Sequence, residues 1–265
     1  MENEPFLSII TINYNNAQGL RKTMQSVFDL NFDDYEYIII DGGSTDESVS
    51  VIQEFLAQQK CAAKISYWVS ESDKGIYNAM NKGIAHASGK LLNFMNSGDF
   101  FLKDSLQNLR LYEAKYPNYI LYGVINKTIG DVFSECYCYS HTRLSETNIH
   151  HQGMFIPLSI FKRLGGYDEH FKILADYDFN LRCFNNGERF AYLNSIIAVC
   201  DAEGLSHTGV ETCRKERNIL SSKYTNIFPQ KKKNYFVKVV KLFLPFGIVR
   251  VVQKIKACIN RQILK

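Results

Sequence analysis

Residues 35–46 read Tyr35-Glu36-Tyr37-Ile38-Ile39-Ile40-Asp41-Gly42-Gly43-Ser44-Thr45-Asp46. A short, unbroken Ile-rich run bounded by turn residues is the pattern of a strand buried on both faces. Val49, Ile52, Phe55 and Leu56 follow at helical spacing, and Ser44 or Thr45 is expected to cap that helix. The unit is strand, polar loop, helix. Upstream it occurs once more: an apolar run over 6–12, the turn Asn13-Tyr14-Asn15-Asn16, then Leu20, Met24, Val27 and Phe28. Downstream the pattern predicts a strand over 65–69, a helix over 76–87, and a strand over 90–95 that runs into Asn96-Ser97-Gly98-Asp99. Alternating strands and helices imply a mostly parallel sheet flanked by helices. In such sheets ligands collect beyond the carboxyl ends of the strands, so three polar turns (13–16, 41–46, 96–99) are expected on one edge.

After a strand over 119–124 the alternation fails. Residues 132–139 alternate like an antiparallel strand, 154–156 and 190–199 read as further strands, and 159–164 and 175–185 as helices. The expectation is one α/β domain over 1–230, with a nucleotide-binding half over 1–124 and a mixed half over 125–230. A basic tail over 231–265 follows it.

With 46% apolar and 22% charged residues, the 265-residue chain is ordinary globular material, which excludes disorder as its general state. Its seven cysteines form no C-x-x-C pair, which argues against a disulfide scaffold or a tetrahedral zinc cage. The first residues carry acids where an export signal carries bases, so a reducing, cytoplasmic setting is expected. The net charge of +4 is uneven: residues 231–265 hold ten Lys and Arg and no acid. Those bases interleave with Val, Leu, Phe and Ile, and the longest uncharged run, Leu242 to Val249, is eight residues. A span needs roughly 20 apolar residues. The tail therefore reads as an amphipathic helix lying on an anionic membrane surface, bent at Pro245, or as a partly packed C-terminal helix with a solvated basic face, rather than as a nucleic-acid tracker.

Asp41 stands at the end of a strand, with Gly42 and Gly43 allowing a ligand close to the backbone. Asp99, ending another strand, is placed to reach a divalent ion that also touches a diphosphate. Neither G-x-G-x-x-G nor G-x-x-x-x-G-K-[ST] occurs, which counts against dinucleotide and P-loop pockets. Asp176 and Asp178 open a helix but do not share a face, so one is expected to be catalytic and the other to favour the helix N-terminus. His150 and His151, read as adjacent strand residues, make a poor chelating pair and are assigned structural or substrate-contact roles. His207 is a candidate additional metal ligand.

Jointly these pieces resemble family 2 glycosyltransferases of the GT-A fold. The resemblance is carried by residues 8–15, 41–46, Ser70-Glu71-Ser72-Asp73-Lys74-Gly75-Ile76-Tyr77-Asn78-Ala79-Met80-Asn81-Lys82-Gly83, 87–89, 96–99, Gly165-Gly166-Tyr167-Asp168-Glu169 and Ala175-Asp176-Tyr177-Asp178. It implies a nucleotide-sugar donor, most often a UDP-sugar, bound by Thr11, Asn13, Asp41, Gly42, Asp73, Asn81, Lys82 and Ser97, with Asp41 accepting from the base. It further implies Mn²⁺ or Mg²⁺ at Asp99, with Ser97 and Gly98 standing where the family's other acids lie. Asp176 would be the general base of an inverting displacement, with Ala175 in place of the usual Glu. The acceptor would be a saccharide or lipid-linked saccharide of surface polysaccharide assembly, at the cytoplasmic face of a membrane. Two rivals are a nucleotidyltransferase, which should carry an early basic Gly-rich loop, and a non-catalytic nucleotide- or saccharide-binding subunit.

Overall fold

The computed structural model describes residues 4–129, 132–137, 140–201 and 209–228, and these form one compact unit. His207 and the tail over 231–265 lie outside the described residues.

Strands β1 (Leu7–Asn13), β2 (Tyr35–Asp41), β3 (Ile65–Ser70) and β4 (Leu91–Phe94) run parallel in the order β3-β2-β1-β4. The crossovers are α1 (Ala17–Phe28), then α2 (Ser48–Leu56) with the short α3 (Gln59–Ala62), then α4 (Ile76–His86). Why β1 and β2 lack polar alternation is visible in their neighbours. Ile9, Tyr37 and Ile39 pack with Leu20, Met24 and Phe55 on one face, while Ile10, Ile38 and Ile40 pack with Ala79 and Met80 on the other. Both faces are core. At Gly83, a Cβ would come within 2.4 Å of the Ile10 side chain, so the missing side chain lets α4 lie against the sheet.

Beyond β4 the sheet turns mixed. β8 (Met154–Pro157) is antiparallel to β4, β6 (Ile120–Ile129) antiparallel to β8, and β9 (Phe190–Asp201) parallel to β6. The two-residue β5 (Phe100–Phe101) closes that edge against β9, and β7 (Val132–Tyr137) makes a hairpin with β6. Helices α5 (Leu109–Lys115), α6 (Leu158–Leu164), α7 (Ala175–Asn185) and α8 (Val210–Lys223) complete the described unit. None of the described helices is long and apolar enough to cross a membrane.

Two local expectations are corrected. Neither Ser44 nor Thr45 caps α2, because Ser44 is turned inward to Asp41. Asp46 does the work instead: it accepts from the Ser48 amide at 3.0 Å and from the Ala17 amide at 2.9 Å, joining the first turns of α1 and α2. His150 and His151 are not strand residues, since 151–153 form a single 3₁₀ turn before β8.

Candidate active site

The strand register builds the site's first part. Asn13, Asp41 and Ser70 are paired neighbours across β1, β2 and β3, so their loops leave the sheet side by side. Asp41 is fully buried. Its carboxylate accepts from Asn13 Nδ2 (2.7 Å), Ser44 Oγ (2.5 Å), the Ser44 amide (2.9 Å) and Ser70 Oγ (2.6 Å). Burial opposes its charge, but these hydrogen bonds outweigh that and hold its pKa below the usual range. Four donors within the chain thus fix the Asp41 carboxylate at the head of the loop. Gly42 leaves room above the loop: a Cβ there would lie 2.9 Å from Asp73 Oδ2 and 3.3 Å from Tyr14. Asp73 is the carboxylate that faces this spot, and the Tyr14 side chain beside it is 67% exposed.

Lys82 on α4 holds that loop. Its ammonium lies 2.7 Å from Asp73 and 2.8 Å from Glu71; burial opposes the charge, and the two acids more than restore it, raising the Lys82 pKa. Adjacent Asn81 points elsewhere, 100° round the helix. Its amide donates to the Tyr167 carbonyl and Glu169 and accepts from the Tyr167 amide, tying α4 to the 165–169 loop. Thr11 is fully buried inside β1, with its hydroxyl shared between Tyr37 Oη and the Met95 carbonyl.

The loop after β4 is docked on the first one. Ser97 Oγ donates to the Asn16 carbonyl at 3.2 Å, and Asn16 Nδ2 returns a bond to the Ser97 carbonyl. Asp99 is 8% exposed and accepts from Gln152 Nε2 at 2.7 Å. Nearby Cys200 is pushed well up by burial and by the Asp99 charge. Asn96 Oδ1 and Gln152 Oε1 are buried without a hydrogen-bond partner. A carboxylate and two orphaned amide oxygens are hard donors, the ligand chemistry that Mg²⁺ or Mn²⁺ takes. Among the described residues no three His, Cys, Asp or Glu side chains gather as a metal cage.

Asp176 opens α7 and is 12% exposed at its side chain. Oδ1 accepts from the Tyr177 amide (2.8 Å) and Tyr77 Oη (3.3 Å), and Oδ2 from Asn148 Nδ2 (2.7 Å). His151 Nδ1 lies 3.5 Å from the same Oδ2, and its Nε2 is 3.1 Å from Asn96 Nδ2. One polar edge thus runs from Asp41 through Asn13 and Asn16 to Asn96, His151 and Asp176. Asp178 has a different task. It is fully buried, bonded to Lys223 (2.7 Å) and Tyr224 Oη (2.9 Å) and 3.6 Å from Arg182, which anchors α8 to α7.

Sequence reasoning gave His151 only a structural or substrate-contact role, assigned none to Gln152, and passed over Asn148 and Glu216. The Glu216 carboxylate, from α8, accepts the amides of Lys172, Ile173 and Leu174, capping from a distance the segment that enters α7. The His-His-Gln run was visible, but the strand reading hid that its turn faces two loops at once. A surface depression of about 630 Å³ at the opposite edge, near Phe6, Lys90, Arg110 and Lys162, is no rival. Its bases Lys90 and Arg110 are already paired to Glu113 and Asp34.

A sheet that changes from parallel to mixed, with carboxylates on loops at its strand ends, is the arrangement expected of a GT-A domain. The chain belongs to Glycosyl transferase family 2, whose pattern matches residues 8–173, and it is a glycosyltransferase of the GT-A fold. A PGL/p-HBAD biosynthesis glycosyltransferase of Mycobacterium bovis is 30% identical over 212 residues, 78% of this chain and 81% of the relative. S. aureus TarS 1–349 in complex with UDP-GlcNAc superposes with a TM-score of 0.64 at 14% identity, covering 83% of this chain and 72% of that one. A mannosyltransferase from Pyrobaculum calidifontis, in complex with GDP-Man and Mn²⁺, also gives 0.64, at 15% identity over 85% of this chain and 65% of that one. The nucleotidyltransferase and non-catalytic readings are set aside by the family.

Proposed function

We propose that the chain transfers a sugar from a UDP-sugar, with inversion, to a saccharide or lipid-linked saccharide hydroxyl in surface glycan assembly. The observation that carries this reading is the contact of Asp176 and the Asn96–Asp99 loop with the two sides of one imidazole, His151. That places a carboxylate opposite the loop suited to a diphosphate. Asp176 accepts the proton of the acceptor hydroxyl as its oxygen bonds the anomeric carbon. The bond to the diphosphate breaks, its electron pair leaving on the diphosphate oxygen. Asn148, Tyr77 and the Tyr177 amide hold the carboxylate in place. Mn²⁺ or Mg²⁺, held by Asp99, would supply charge neutralisation for the departing diphosphate. Asp73 beside Gly42 is the acceptor for a base N–H, and exposed Tyr14 offers a ring for the base to stack on. The UDP-GlcNAc and GDP-Man complexes of the two structural neighbours support a nucleotide-sugar donor, and the relative's part in PGL/p-HBAD biosynthesis supports a glycan acceptor.

The test is a thermal-shift panel of UDP- and GDP-sugars with Mn²⁺, followed by transfer assays on Asp176→Asn. A UDP-sugar is expected to raise Tm most. Asp176→Asn is expected to lower the rate by about 10²–10⁴-fold, and near-full activity would remove it from the base role. The proposed setting, peripheral on the cytoplasmic membrane face through residues 231–265, is supported by their basic, apolar-interleaved sequence. Flotation on phosphatidylglycerol-containing vesicles should recover the full chain but not a version ending at Gln230; equal partition would sink the idea.

A further inference from the structure

We infer that His151 is a positioning residue for Asp176, with its proton on Nδ1 facing that carboxylate and its bare Nε2 accepting from Asn96. The inference rests on the base reading of Asp176 but has a readout of its own.

Each ring nitrogen faces a polar group: Nε2 the Asn96 amide and Nδ1 the Asp176 carboxylate. Asn96 Nδ2, at 3.1 Å from Nε2, can only donate, so Nε2 must be the acceptor. The proton then sits on Nδ1, 3.5 Å from Asp176 Oδ2. The ring cannot drift: its side chain is 15% exposed, and the backbone turn holding it is pinned by the next residue. Gln152 donates to Asp99 through Nε2, and its carbonyl accepts from Asn93. The 151–153 turn is therefore a strut between the β4 loop and the N-terminus of α7. An in-line displacement needs the acceptor oxygen, the anomeric carbon and the leaving oxygen on one axis. The strut sets the distance between the group that activates the first and the loop that faces the last. Without the imidazole, Oδ2 keeps Asn148 alone and the carboxylate loses the link that registers it to the donor loop.

Nitrogen-15 histidine spectra of the full chain at pH 8, with His151 assigned through His151→Asn, read the tautomer directly. The Nδ1–H form is expected. Asn96→Asp, which turns the donor into an acceptor, should bring a proton onto Nε2 as well. A wild-type Nε2–H form, or an Asn96→Asp spectrum unchanged at His151, overturns the assignment. Kinetically, UDP release from UDP-GlcNAc with Mn²⁺ should fall about 10–100-fold in His151→Ala with KM for UDP-GlcNAc unchanged. His151→Asn, which keeps an N–H near the Nδ1 position, should recover most of that loss, whereas His151→Gln should not. Equal rates for His151→Ala and wild type overturn the positioning role even where Asp176→Asn is inert. A fully active Asp176→Asn defeats the base reading, and the tautomer result still stands or falls by itself.

Discussion

In the half built from β1 to β4, the polar edge is assembled by strand register; in the half that carries α7, it is assembled by long-range hydrogen bonds. Asn13, Asp41 and Ser70 meet because their strands are parallel neighbours, and Ser44, three residues beyond Asp41, supplies two of its four donors. Asp176, by contrast, is held by Tyr77 on α4, Asn148 on a loop and His151 on the turn before β8. The segment leading to it hangs on Glu216 from α8. A register-built edge is a by-product of folding the sheet. The second edge exists only when several separate elements dock, so it should be the easier to break.

The sharpest way to break it is Glu216→Ala. The exchange leaves three backbone amides (172–174) without their carboxylate acceptor in a part-buried segment. Losing bonds to a charged acceptor should lower unfolding stability by about 3 kcal/mol, measured by urea titration. Glycosyl transfer should fall at least about tenfold, because the Ile173 carbonyl that accepts from Tyr77 Oη lies in that segment and Asp176 follows it. Glu216→Gln retains one acceptor oxygen and should lie between. An Ala variant with unaltered stability and activity would mean that α7 needs no remote cap.

The same contrast explains what could be read from the residues alone. Parallel strands buried on both faces leave unbroken Ile runs, so the loops that carry Asp41, Gly42 and Asp99 were legible from the strand pattern, while Asp73 came only with the family resemblance. Which of them a ligand reaches was not legible. Asp41 follows its strand as a binding acid would, yet Ser44 and Ser70 already donate to its oxygens, and Asp73 stands in the space that Gly42 leaves. Asn81 and Lys82 are neighbours in sequence but 100° apart on α4, so a motif containing both cannot say which one faces the donor loop. His151 was illegible for a stronger reason: its meaning depends on Asn96 and Asp176 arriving from two other elements.

Asp73→Asn sharpens the comparison from the register-built side. The amide keeps the shape but loses the ion pair with Lys82, and it presents a donor where a base N–H needs an acceptor. The expected effect is confined to donor binding: KM for the nucleotide-sugar up about tenfold, or ~1.4 kcal/mol, with kcat nearly unchanged. A drop in kcat with KM unaltered would place Asp73 with the reacting atoms instead.

The smallest effect is a pH dependence that belongs to the docked half. Burial pushes His150 down to about 4, with Lys127 and His151 acting in the same direction and Asp176 against them. Its ordinary value is 6.5, so the unfolded chain binds a proton that the folded chain refuses, and stability must rise with pH across this window. The contribution is complete above pH 6.5 and is lost progressively toward pH 4. Between pH 7 and pH 6 the expected loss is about 0.7 kcal/mol. Half-buried His141 is lowered as well and adds in the same sense, whereas Asp41, whose pKa is lowered from 3.8, loses its stabilisation only at lower pH. Urea midpoints of wild type and His150→Gln at the two pH values separate these groups. The variant should keep only the smaller slope left by His141, and an identical slope in both proteins would show that His150 takes up its proton in the folded state.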